Sequence, residues 1–153
     1  MAVSEWYQNK EGRAEHLVYL NKQGKELEKL LNKEKTMIIR GAAGRKSPLG
    51  GRAKIDDLVY FVETGGNQMV THRGVIKNVI ETEKMTPEES AAFVDKHEKE
   101  LNLSKAQYKR WAGKKFLALY EIDHLEAIEP FKYDRQNNMD DWIITEDINQ
   151  IKA

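Results

Sequence analysis

Apolar positions along this chain switch between two periods, and the switches mark its elements. Residues 16–20 and 36–40 are short runs of β-formers, and between them Leu27, Leu30 and Leu31 share one stripe at helical spacing, which predicts strand, helix over about 22–33, and strand. Residues 57–63 form a dense β run that Gly65-Gly66-Asn67 turns into a second run over 69–80. Gly74 interrupts that second run, so a hairpin with a bulge or bend is expected there. Thr86-Pro87-Glu88-Glu89 combines a capping threonine, proline at the first helical position and a glutamate that closes a capping box. It starts a helix expected to reach about residue 101. Ser104 and Gln107 repeat the device, Leu103 and Tyr108 are spaced as a hydrophobic staple, and Gly113 stands where that helix should stop. A strand over 116–122 follows, and a short one over 142–144 comes after the turn-forming Asn137-Asn138. Helices that interrupt the strands without alternating with them predict an α+β domain on a small, mainly antiparallel sheet or barrel with flanking helices. They argue against a doubly wound parallel sheet.

The chain has 153 residues, enough for one domain with a real core, and a single domain over 1–153 is expected. With no cysteine it has no disulfide, thiolate metal ligand or cysteine nucleophile. Residues 1–13 are polar and lack the apolar centre of a signal peptide, and no apolar run approaches the roughly 20 residues needed to cross a bilayer. A soluble, cytoplasmic protein is expected, with no membrane partner and no cofactor.

Charge alters the picture only when resolved along the chain, because 25 basic and 25 acidic side chains cancel overall. Residues 22–54 carry 10 basic and 3 acidic groups, 10 − 3 = +7, while residues 121–147 carry 2 basic and 9 acidic groups, 2 − 9 = −7. One region attracts polyanions and the other repels them. The basic region holds the loop Gly41-Ala42-Ala43-Gly44-Arg45-Lys46-Ser47-Pro48-Leu49-Gly50-Gly51-Arg52, where glycines let main-chain amides approach an anion and arginine offers a fork suited to phosphate. The glycine spacing is wrong for a nucleoside-triphosphate P-loop, and no helix pattern follows. Candidate ligand contacts are Lys35, Arg40, Gly41, Gly44, Arg45, Lys46 and Arg52, with Tyr60 as a pocket aromatic on which a base could stack.

Residues 33–40, Lys-Glu-Lys-Thr-Met-Ile-Ile-Arg, resemble a diverged ASCH-domain signature of the PUA-like superfamily. The family pattern reads glycine, any, lysine, any, any, glutamate, any, arginine. Lys35 and Arg40 match it, while Lys33 replaces the glycine and Ile38 the glutamate. The order of elements from about residue 16 to 131 also looks ASCH-like, including Asp57 where the family often has Gly-Asp before a strand, and residues 132–153 then form a C-terminal extension. The resemblance implies a small twisted, partly closed barrel and a role in binding RNA or modified nucleosides. A few family members are hydrolases. Members resembling acetylcytidine amidohydrolases have a threonine nucleophile at the position of Ile38, and an isoleucine cannot attack a carbonyl. Lys35, Thr36 and His72 are the residual catalytic candidates for a hydrolase or ribonuclease.

The histidines His16, His72, His97 and His124 are far apart, and none is paired at metal-ligand spacing, so no metal site is expected. Lys105, Lys109, Arg110, Lys114 and Lys115 make a second basic cluster that either extends an RNA track or is a solvated face. The chain reads as a binder of RNA or a nucleotide-like ligand. A hydrolase is the first alternative, and a protein-interaction module acting through its oppositely charged regions is the second.

Overall fold

The computed structural model describes residues 14–42, 53–64, 69–133, 142–145 and 148. Among these, six strands form one sheet: β1 (Glu15–Leu20), β2 (Met37–Ala42), β3 (Leu58–Glu63), β4 (Met69–Glu81), β5 (Phe116–Lys132) and β6 (Trp142–Thr145). Their order is β2-β5-β4-β3-β1-β6, and every pairing is antiparallel except that of β1 with β3. The helices are α1 (Glu26–Leu31), α2 (Pro87–Lys96), α3 (Glu98–Leu101) and α4 (Lys105–Trp111).

The sheet curls until its two edges communicate. Arg40 on β2 donates from Nη2 to the Tyr19 carbonyl on β1 at 2.9 Å, and its guanidinium lies 5.5 Å from the centre of the Trp142 indole on β6. This is an α+β fold on a curled, mainly antiparallel sheet, as the sequence predicts. Strand alternation sorts side chains between the inside of the curl and two outer layers. Val18, Leu20, Ile38, Val59, Phe61, Ile76, Tyr120 and Trp142 fill the inside, sealed by Leu27 and Leu30 of α1. Met37, Ile39, Leu117 and Leu119 point outward against Val94, Leu101 and Trp111 of the helices. Leu17, Leu58, Tyr60 and Val62 form the other outer layer with Val70, Tyr133, Ile143 and Ile148.

Both capping boxes form as their sequences demand, at Thr86/Glu89 and at Ser104/Gln107. Other boundaries move. The helix expected through residue 101 breaks at His97, whose Nδ1 donates to the Phe93 carbonyl, and α3 resumes beyond it. α1 begins only at Glu26, because residues 22–25 form a turn closed by Asn21 Oδ1, which accepts from the Gly24 amide. β5 runs ten residues past its expected end at 122, since its distal half pairs with β4 through Lys132. Gly74 does mark a register shift. A Cβ there would lie 3.0 Å from the Asp123 carbonyl oxygen, so only glycine lets β4 and β5 approach at this point.

Candidate functional site

Register shifts between β4 and β5 shape a cleft. Between the pairs Arg73↔Glu126 and Val75↔Asp123, β5 carries one extra residue. Between Ile76↔Ile122 and Asn78↔Glu121 the extra residue is Lys77, on β4. Bulges of this kind bend a strand and re-aim its side chains. Here His124 adopts a left-handed backbone, φ 53°, which a non-glycine residue enters only under tertiary constraint. Both bulges line one cavity of about 410 Å3, walled also by Leu30 and Leu31 of α1 and Lys33 after it, by Lys35 and Thr36 before β2, and by Glu121, Ile122, Asp123 and Leu125.

The wall chemistry is mixed. Four apolar side chains offer a surface for a flat ring. Lys77 Nζ stands 3.9 Å from Glu121 Oε2, and His124 Nε2 stands 3.9 Å from Asp123 Oδ2. Lys77 and His124 are 60 % and 53 % exposed at the side chain, so both can turn to a ligand at little energetic cost. Thr36 spends its amide on the Glu100 carbonyl and its carbonyl on the Ile122 amide, while its hydroxyl enters no hydrogen bond among the described residues.

Lys35 borders this cleft but does not offer its charge to it. The side chain is sealed from solvent, Nζ donates to the Leu101 carbonyl, and Glu26 Oε2 lies 3.8 Å away. Burial lowers its pKa to about 8 from the ordinary 10.5. Glu26 partly opposes the shift, and the nearby charges of Lys29 and Arg40 add to it. Between pH 8 and 10.5 the unfolded chain therefore binds a proton that the native chain has shed, and Lys35 makes stability rise with pH over that window. Relative to Lys35→Met, the wild type is expected to gain up to about 3 kcal/mol from pH 7 to pH 10. Urea denaturation of both proteins at several pH values measures this, and a pH-independent difference between them would refute it. Tyr120 acts in the opposite sense at higher pH. Its burial, with help from Glu81, raises its pKa well above the ordinary 10.0, so ionisation of the unfolded chain lowers stability beyond that pH.

Three other expected contacts are engaged in the packing of the fold. Arg40 is buried, donating from Nη1 to the Ile39 carbonyl at 2.7 Å and from Nη2 to Tyr19, between the indoles of Trp111 and Trp142. It acts as an internal clamp where a phosphate contact was expected. Gly41 belongs to β2, paired with Leu117, and not to a loop. A Cβ on it would come within 3.0 Å of Trp111 Cε3 and of Leu117 Cδ2, so its smallness serves packing. Tyr60 lies in an outer core layer, edge-on to Phe131, and does not line the cleft. Alternation on β3 sends Phe61 to the inside of the curl and Tyr60 to the outside, and both faces are covered.

The three catalytic candidates are not assembled. His72 is half-buried beside the Thr71 hydroxyl at 2.8 Å, opposite Phe61 in the sheet. Burial holds its pKa below the ordinary value against the pull of Glu63, and it does not line the cleft with Lys35 and Thr36. Gly44, Arg45, Lys46 and Arg52 lie outside the described residues.

A polar relay inside the curl escapes sequence reasoning. His16 is fully buried, with Nε2 2.9 Å from Asp57 Oδ2 and Nδ1 2.9 Å from Trp142 Nε1. An indole N–H only donates, so Nδ1 must accept and Nε2 carries the proton that bonds Asp57. The same Asp57 oxygen accepts from the Lys54 amide at 2.9 Å. The partners are 41 and 126 positions apart, and only the parallel β1/β3 pairing and the antiparallel β1/β6 pairing unite them. Among the described residues no group of His, Asp and Glu is arranged to hold a metal ion, and no helix is long and apolar enough to cross a membrane.

No family model matches the sequence, and no curated protein does. Solved structures match the fold. The crystal structure of ASCH from Zymomonas mobilis superposes with a TM-score of 0.55 at 14% identity, covering 77% of this chain and 73% of that one. One point-mutant form of that protein gives 0.58 at 14% identity over 91% of this chain and 99% of the other, and a second gives 0.56 at 13% identity over 77% and 73%.

Proposed function

On this ASCH-like fold, we propose that the protein is a binding module for RNA, or for a modified nucleoside or nucleotide-like ligand, held in the bulge-lined cleft. The observation that carries the reading is the convergence of Lys77 and His124 from two separate bulges on one cavity of about 410 Å3, beside Lys33 and Thr36. That volume falls in the range of small-ligand sites. Leu30, Leu31, Ile122 and Leu125 receive the base, Thr36, Glu121 and Asp123 meet its donors and acceptors, and Lys33 and Lys77 meet phosphate. Arg45, Lys46 and Arg52 enter the reading as further phosphate contacts from the sequence alone. Binding is favoured over hydrolysis because Lys35, the lysine named as a candidate base, is tied to a carbonyl and shut from solvent.

Fluorescence anisotropy of a labelled mixed-sequence single-stranded RNA, across a salt series, tests this. Lys33→Ala with Lys77→Ala is expected to weaken binding about tenfold at low salt and to reduce the salt slope by about 1, as two lost single-strand phosphate contacts require. Wild-type affinity in the double variant would remove the cleft from the interface. No binding by the wild type at low salt would refute the RNA reading.

A further inference from the structure

We propose a second RNA contact at the corner where α4 turns into β5, which makes the partner a polynucleotide chain rather than a free nucleoside. This rests on the RNA reading above and extends it. From Asn102 to Tyr120 the sequence has five basic residues, Lys105, Lys109, Arg110, Lys114 and Lys115, and no acidic one. The structure gathers them. Lys105, Lys109 and Arg110 are exposed on α4, and Lys115 is exposed just past the turn. The chain reverses at Gly113, with φ 101°, where its amide donates to the Ser90 hydroxyl and the Lys114 amide donates to the Trp111 carbonyl. Among the described residues, Lys105, Lys109, Lys114 and Lys115 enter no ion pair.

Helix stability does not explain this charge. Cations in the last turn, Lys109 and Arg110, favour a helix C-terminus, but Lys105 stands in the first turn, where a cation opposes the dipole and where α4 has no acidic residue. The acidic groups nearby are Asp95, which accepts from the Tyr108 hydroxyl, Glu98, which acts on the same hydroxyl, and Glu81 and Glu83 near the end of β4.

The corner and the cleft lie at opposite ends of β2. The position a Cβ would take on Gly41 lies 3.2 Å from Lys114 Cγ, so the corner packs on the far end of β2, whose near end follows Thr36 in the cleft wall. The five residue steps from Thr36 to Gly41, at roughly 3.3 Å each, separate the two by about 17 Å along an edge strand. A nucleoside cannot reach across that distance, whereas a strand of several nucleotides can. Charge complementarity to a single-stranded backbone is the argument for this occupant.

The test compares the full-length protein with the triple variant Lys105→Gln, Lys109→Gln, Lys115→Gln, all exposed positions, using a single-stranded RNA of twelve or more nucleotides and a mononucleotide. The triple variant should bind the long RNA about tenfold more weakly at low salt, with a salt slope lower by about 2, and bind the mononucleotide as the wild type does. Unchanged long-RNA binding in this variant, alongside weakening in the Lys33/Lys77 variant, would overturn the corner and leave the cleft standing. No RNA binding by the wild type would overturn both. Equal affinity of the wild type for anionic lipid vesicles or polyglutamate, lost in the triple variant, would overturn RNA as the occupant.

Discussion

Arg40→Ala should unfold at markedly lower denaturant, with a loss of about 3–5 kcal/mol, the range seen when a large buried side chain and its charge-assisted hydrogen bonds are removed together. The guanidinium ties the β2 edge to β1 through the Tyr19 carbonyl and lies 6.0 Å and 5.5 Å from the Trp111 and Trp142 rings. Truncation leaves that carbonyl without this donor, opens a void between two indoles and loosens the closure of the curl. Arg40→Lys keeps the charge but cannot span two carbonyls and two ring faces with one ammonium, so it should lose about half as much. Urea titration of the three proteins, followed by tryptophan fluorescence, measures the series. An Arg40→Ala protein within about 0.5 kcal/mol of wild type, the ordinary effect of a surface change, would show that the clamp is not structural. It follows that reduced RNA binding in an Arg40 variant cannot be read as a lost phosphate contact until its stability is known.

Asp57→Ala should lower stability by about 3 kcal/mol, because it strips the acceptor from the buried His16 Nε2–H and also from the Lys54 amide. The effect should also spread to β6. Asp57 fixes the proton on Nε2 and so keeps Nδ1 free to accept from Trp142. Without it the ring can change tautomer or turn over, and the Trp142 bond weakens. Trp142→Phe, which keeps a ring in place, should therefore cost about 1–2 kcal/mol in the wild type and less in the Asp57→Ala background. A double-mutant cycle reads that coupling directly, and strict additivity within about 0.5 kcal/mol would show that His16 transmits nothing between its two partners.

The relay also marks the division between what was legible in the residues and what was not. The sequence by itself determined the elements and the class of fold. Alternation fixed which faces of β1, β2 and β3 are apolar, and the Thr86 and Ser104 boxes fixed two helix starts. The residues after α1 supplied enough of a motif to indicate the ASCH-like arrangement. Those signals are local, since caps and periods act within a few residues and survive any tertiary context.

Tertiary structure decided the fate of the charged residues. Lys35 and Arg40 read as free cations because strand position tells only that their side chains point to opposite faces. Whether a face is covered depends on α3 and on the far edge strand β6, which are 60 to 100 positions away. Gly41 read as a loop residue because its packing against Trp111 is equally remote in sequence. His16 looked solitary until parallel pairing brought Asp57 beneath it. The cleft depends on two bulges, and a bulge arises from a mismatch in register between two strands that neither strand's pattern encodes alone. Lys77 and His124 accordingly carried no signal as single residues. They become a site only because β4 and β5 shift register opposite Gly74, where the absence of a side chain lets the two backbones approach, and again at Lys77.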